Sequence, residues 1–170
     1  MFPRQKSGLS LIEVVIYVAI LGFILVLVFD TVLAVSRAVT EVRMEKKIVT
    51  SGTLVLERLS REVRDSTDIV ADSSIFDVDA GQLTTRREDP IGTFTPVTFA
   101  LASHDRLRLT KGATSELLTP ASVRVSKLLF RSISTPNGEG VKVELELSAT
   151  TSATTTYKFY STIILRETYE

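Results

Sequence analysis

The sequence predicts an α+β protein: a long N-terminal helix, its first half transmembrane, its second half packed on an antiparallel β-sheet head. Three observations predict it. An apolar run fills positions 9–29, with Glu13 its single charge. A helical pattern then continues to about Ser66. From Val97 the period of the apolar residues changes to two, as in half-buried strands.

The apolar run comes first. About 21 helical residues cover ~31 Å, close to the thickness of a bilayer core. Arg4 and Lys6 precede the run and Asp30 follows it, which keeps the N-terminus in the cytoplasm and sends the rest outside. A removable signal peptide fits poorly: the run is too long, no small-x-small site follows, and DTVLAVSRAVTEVRMEKK goes on as helix. Glu13 is the anomaly. An acid in an apolar span is costly and is functional by default, although one at the headgroup level can simply be tolerated.

Gly8-Leu9-Ser10-Leu11-Ile12-Glu13, after a short basic leader and before the apolar helix, resembles the processing site of type IV prepilins and type II secretion pseudopilins. The resemblance implies that a prepilin peptidase removes residues 1–8 by cutting between Gly8 and Leu9. It implies N-methylation of the new Leu9 amine. It also implies that an assembly platform with a cytoplasmic ATPase draws the subunit from the inner membrane, and from its lipid, into a filament of pilin-like subunits outside. Glu13 then gains a use as the assembly and register residue: its carboxylate would meet the N-terminal amine of a neighbouring subunit. Each charge offsets the burial cost of the other, and any axial slip leaves both unmatched.

Residues 30–66 read as the amphipathic continuation of the helix. Val35, Val42, Val49, Leu56 and Val63 recur every seven residues, and Arg37/Glu41, Glu57/Arg61 and Arg58/Glu62 are spaced for ion pairs. Thr50-Ser51-Gly52-Thr53 is a weak point that predicts a bend. Leu54, Leu56, Leu59 and Val63 are expected under the head. Residues 67–96 read as a loop region rich in aspartate. Asp77-Val78-Asp79-Ala80-Gly81 has a faint likeness to a calcium loop but lacks the closing glutamate, so a solvated acidic loop is expected, with no metal and no cofactor.

The head is expected over 97–170. Val97–Leu101, Arg106–Thr110, Val123–Phe130, Val141–Leu147 and Tyr157–Arg166 read as strands, with a turn at Pro136–Gly140 and a Ser/Thr-rich link at Thr150–Thr156. A long helix followed by such a meander matches the lollipop shape of the pilin-like family. Leu56–Arg64, Val97-Thr-Phe99, Leu107-Arg-Leu109, Leu117-Leu-Thr-Pro120 and Leu128-Leu-Phe130 resemble the J-type minor pseudopilins and minor pilins. No proline lies between Leu9 and Pro90, and there is no cysteine. Both absences depart from the major type IVa pilins.

Function classes narrow accordingly. With 20 basic and 20 acidic residues the formal charge is zero, so no specific nucleic-acid partner is expected. Arg86-Arg87, Arg106 and Arg108 read as a solvated basic face. Without cysteine there is neither a disulfide nor thiol chemistry. His104 is the one imidazole, and no nucleophile elbow or phosphate loop accompanies it, so no enzyme is expected. The expected function is a structural subunit, minor and tip-associated, of a secretion pseudopilus or a type IV pilus, a competence pilus included. The rival is a single-pass, membrane-tethered extracytoplasmic binding module, which would keep Met1.

Overall fold

The computed structural model describes residues 10–89, 92–103, 105–135, 138–150 and 155–165. Helix α1 spans Leu11–Arg64. The chain divides into two compact units at Arg43/Met44, so α1 contributes to both. The first unit, in its described residues, is helix alone.

In its described residues the second unit is α1 from Met44 onward, a short 3-10 turn and eight strands in two antiparallel sheets. The five-stranded sheet runs in the order β1 (Asp68–Ile69), β2 (Leu83–Glu88), β3 (Phe94–Ala102), β4 (Arg106–Lys111) and β5 (Thr114–Leu117). The three-stranded sheet runs β6 (Val123–Thr135), β7 (Gly138–Ala149), β8 (Thr156–Ile164). The α+β prediction holds, but the head is two meanders rather than one.

The break falls where the chain cannot extend the first sheet. After β5 the Leu118 amide still donates to the Leu107 carbonyl (2.8 Å). The buried Thr119 hydroxyl accepts from the Leu107 amide (3.1 Å), and Arg106 grips the Thr119 carbonyl through Nε and Nη2 (3.0 and 2.6 Å). Pro120 then lacks a donor for a further ladder rung, and the chain turns into β6. The two sheets are joined again where the Val125 amide donates to the Asp105 carbonyl (2.8 Å).

Strand β6 also explains an irregular apolar pattern. Val123, Val125, Leu128 and Phe130 are all buried, which breaks strict alternation after Val125. The register shifts between Val125 and Lys127, so that Val125 faces Leu147 and Leu128 faces Leu145. One extra residue, a β-bulge, returns the apolar side chains to the core face.

The segment 67–96 differs most from expectation. It is not a loop region: it holds β1, a 3-10 turn at Ala71–Ser73, β2 and the start of β3. Strand β2 lies between β1 and β3, with Leu83 and Thr85 fully buried. Thr85 is affordable there because its hydroxyl accepts from Ser66 Oγ (2.8 Å). Thr84 donates to the Ser73 carbonyl (2.9 Å) and meets Thr98 Oγ1 at 3.2 Å. Threonine is a good strand former whose polarity hides it from a hydrophobic-period reading.

One continuous core joins α1 to both sheets. Val55, Leu59 and Val63 of the helix meet Leu83, Phe99, Leu107 and Leu109 of the first sheet and Phe130, Val143, Leu145 and Ile163 of the second. The buried helical stripe is Ile48, Ser51/Gly52, Val55, Leu59, Glu62/Val63, with helical spacing. Leu59 and Val63 are buried as expected and Leu56 is partly so, but Leu54 is 57% exposed and Val35, Val42 and Val49 also face outward. Of the sevenfold repeat only Val63 lies in the core stripe, with Leu56 at its margin. Residues 50–53 are helical without interruption. Gly52 has another reason to be small: a Cβ there would run into the Phe159 ring.

Candidate functional site

The second unit offers little for chemistry. Among the described residues, no group of three or more His, Cys, Asp or Glu could hold a metal. Asp79, the centre of the acidic stretch, is engaged by backbone: its Oδ1 accepts from the Ala80 and Leu128 amides (2.8 and 3.2 Å). The Asp77 and Gly81 amides donate to the Phe130 and Leu128 carbonyls (both 2.9 Å). The Asp77–Gly81 segment is a clip on the edge of β6, with Asp77 and Ala80 at positive φ (61° and 58°). Of the arginines read as a basic face, Arg106 binds the Thr119 carbonyl and Arg86 lies over the Phe94 ring, 5.4 Å from its centroid. His104 lies outside the described residues.

The most constrained charge in this unit is Glu62, 2% exposed. Its Oε1 takes Lys111 Nζ of β4 at 2.5 Å and Arg58 Nε at 3.3 Å, while Arg58 Nη2 also reaches Glu116 of β5 at 3.3 Å. Glu62 Oε2 has no hydrogen-bond partner among the described residues. Glu62 ties the helix to β4 directly and its partner Arg58 ties it to β5, which together make an ionic latch. The groove beside it, about 390 Å³, is lined by Leu54, Val55, Glu57, Arg58, Arg61, Glu116 and Leu118 and holds no nucleophile-base pair.

The first unit is chemically unlike it. Every described residue from Ser10 to Arg43 is exposed, including Leu11 at 85% and Phe23 and Phe29 at about two-thirds. An 18-residue window of this helix has mean hydropathy 3.0, long and apolar enough to cross a membrane. So much contiguous apolar surface marks a membrane or a protein partner as its solvent. The threonines in and beyond it satisfy themselves: Thr31 Oγ1 donates to the Leu27 carbonyl (2.7 Å) and Thr40 Oγ1 to that of Ser36 (2.9 Å). Such back-bonding satisfies both threonine hydroxyls in apolar surroundings.

Glu13 sits in the first turn of this helix. The Ser10 carbonyl receives the Glu13 and Val14 amides (3.0 and 3.2 Å), and an acid in this turn complements the positive end of the helix. Its side chain is not alone. Tyr17 Oη donates to Glu13 Oε1 at 3.2 Å. Sequence reasoning passed over Tyr17 because an aromatic counts toward an apolar run. The available signal was an acid and a phenol four residues apart, which share a helix face. Gly8 and Leu9 lie outside the described residues, as do residues 1–7.

Comparison with known proteins singles out the same segment. Residues 3–29 match the model of the prokaryotic N-terminal methylation motif. The chain carries this motif at its N-terminal end. The match covers the basic start, Gly8-Leu9, Glu13 and the apolar helix to Phe29, and stops before the β strands. No curated protein and no solved structure matches the chain.

Proposed function

We propose that this protein is a structural subunit of a type IV pilus-like filament or a type II secretion pseudopilus. One observation carries the reading. A methylation motif at residues 3–29 heads a helix whose apolar surface is exposed from Ser10 to Arg43. In this reading a prepilin peptidase cuts between Gly8 and Leu9, the Leu9 amine is methylated, and the helix stays in the inner membrane with the head outside. An assembly platform and its ATPase then move the subunit into the filament, where lipid around residues 9–29 is exchanged for the helices of other subunits. Glu13 pairs there with the amine of a neighbour, so the transfer buries charge only as a matched pair.

The subunit role is minor and tip-associated, of the J type. The head motifs quoted above support this, as do the absence of cysteine and of a helix proline. The work is structural rather than catalytic, in keeping with a head whose buried acid is consumed by a latch. Substituting Glu13 tests the reading. Glu13→Gln or Glu13→Val leaves the protein in the membrane and cuts its recovery in sheared filaments at least tenfold, a loss of about 1.4 kcal/mol or more. Normal incorporation of both variants would reduce the helix to a plain anchor for an extracytoplasmic binding module.

A further inference from the structure

The phenol beside Glu13 has no evident use as an anchor or as packing. Tyr17 lies one helical turn beyond Glu13, about 6 Å further into the apolar run. Its helix-face neighbours are Val14, Ile20 and Leu21, none of which can accept a hydrogen bond. A tyrosine hydroxyl also stands too far from its own backbone to return to the carbonyl four residues back, as Thr31 and Thr40 do. Glu13 is thus the one side chain on this face that can satisfy it, and the 3.2 Å bond to Oε1 does so. Helical side chains lean toward the N-terminus, so a residue at i+4 reaches back to one at i without leaving its preferred rotamers.

We infer that Tyr17 is a positioning residue for Glu13, holding one carboxyl oxygen and leaving the other turned outward for an incoming cation. The inference rests on the filament reading for its purpose, but not for the bond itself. A carboxyl group has about four acceptor sites on two oxygens. Before assembly the phenol supplies a side-chain donor from within the apolar run, where an unsatisfied polar group in hydrocarbon is costly. At assembly it need not leave: Oε1 stays with Tyr17 and Oε2 takes the amine. The acid therefore enters the filament with one rotamer already selected, which lowers the entropy lost on pairing.

Tyr17→Phe is the discriminating variant, because it keeps the ring and removes only the hydroxyl. In full-length protein in phosphatidylethanolamine–phosphatidylglycerol vesicles, the infrared carboxyl band of Glu13 is the one lost in Glu13→Gln. That band shifts in Tyr17→Phe if the bond is made, and a band that stays in place overturns the inference whatever the filament does. In the native host, Tyr17→Phe reduces filament incorporation about threefold, the size of a typical hydrogen bond between side chains in a membrane. Adding it to Glu13→Gln has no further effect, since Tyr17 acts only through the acid. An undiminished Tyr17 effect in the Glu13→Gln background would show that the tyrosine works through packing, and would also overturn it. If instead Glu13→Gln assembles normally, the filament reading fails, and the vesicle band still decides whether Tyr17 positions Glu13.

Discussion

The two parts of α1 differ in what surrounds them rather than in how they are built. Both are uninterrupted helix. From Ser10 to Arg43 every described residue is exposed, whereas from Met44 to Arg64 a stripe of Ile48, Val55, Leu59 and Val63 is closed over by strands. The second part finds its cover within its own chain. The first carries more apolar surface and, among the described residues, leaves it exposed, so its stability depends on a medium supplied from outside. Burial, rather than hydrophobicity, separates residues that hold the fold from residues that hold something else.

Leucine truncation breaks the comparison most sharply. Leu59→Ala, at a fully buried position, should destabilise the head by about 2–5 kcal/mol through lost burial and a cavity. Leu25→Ala, in the exposed part, should leave the melting temperature of the detergent-solubilised head unchanged. Equal losses from both would mean that the first part is also packed against its own chain.

The latch sharpens the comparison next. Lys111→Met removes the closest partner of Glu62 and leaves a buried carboxylate held by Arg58 alone. The expected loss is about 1–3 kcal/mol, discounted toward the lower end because Lys111 is about one-third exposed. Denaturant titration measures it, and an unchanged midpoint would remove the latch from the account. Gly52→Ala should cost about 1–3 kcal/mol by overpacking, since its new methyl would collide with Phe159. Gly22→Ala, with nothing within 4 Å, should cost the head nothing.

The smallest effect is at the surface of the three-stranded sheet. The Glu146 carboxylate, 3.2 Å away, raises the Lys158 ammonium above its ordinary 10.5, by hydrogen bonding first and by charge second. A raised value contributes stability that is fully present below 10.5 and is lost as pH climbs through the folded-state value. Lys158→Met should therefore lower stability slightly at neutral pH, where the contribution is present, and converge on the parent above the folded-state value, which flattens the alkaline limb. The pair is exposed, and added salt should erase the difference.

The strands most legible in the sequence are those with a clean period of two. Val97-Thr-Phe99 and Val141–Leu147 alternate because one face meets the core and the other meets water. Strand β2 escapes because Thr84 and Thr85 pack as threonines with internal hydrogen bonds, so the pattern shows polarity where the fold has core. Strand β5, exposed along its whole length, has no buried face to generate a period. The extra residue in β6 changes the parity of its own pattern midway. At the candidate site, Glu13 is conspicuous because a charge in an apolar run is rare. Tyr17 is not, because its contribution is one hydroxyl whose partner becomes apparent only when both side chains are placed on the helix.

The central claim is that the apolar helix begins, in the mature protein, with a free and modified amine one turn from Glu13. Mass spectrometry of the N-terminal peptide from protein made in its native host tests this most directly. The account predicts a peptide starting at Leu9 and carrying a methyl group on its amine. A peptide that still contains Met1 to Gly8 would contradict it.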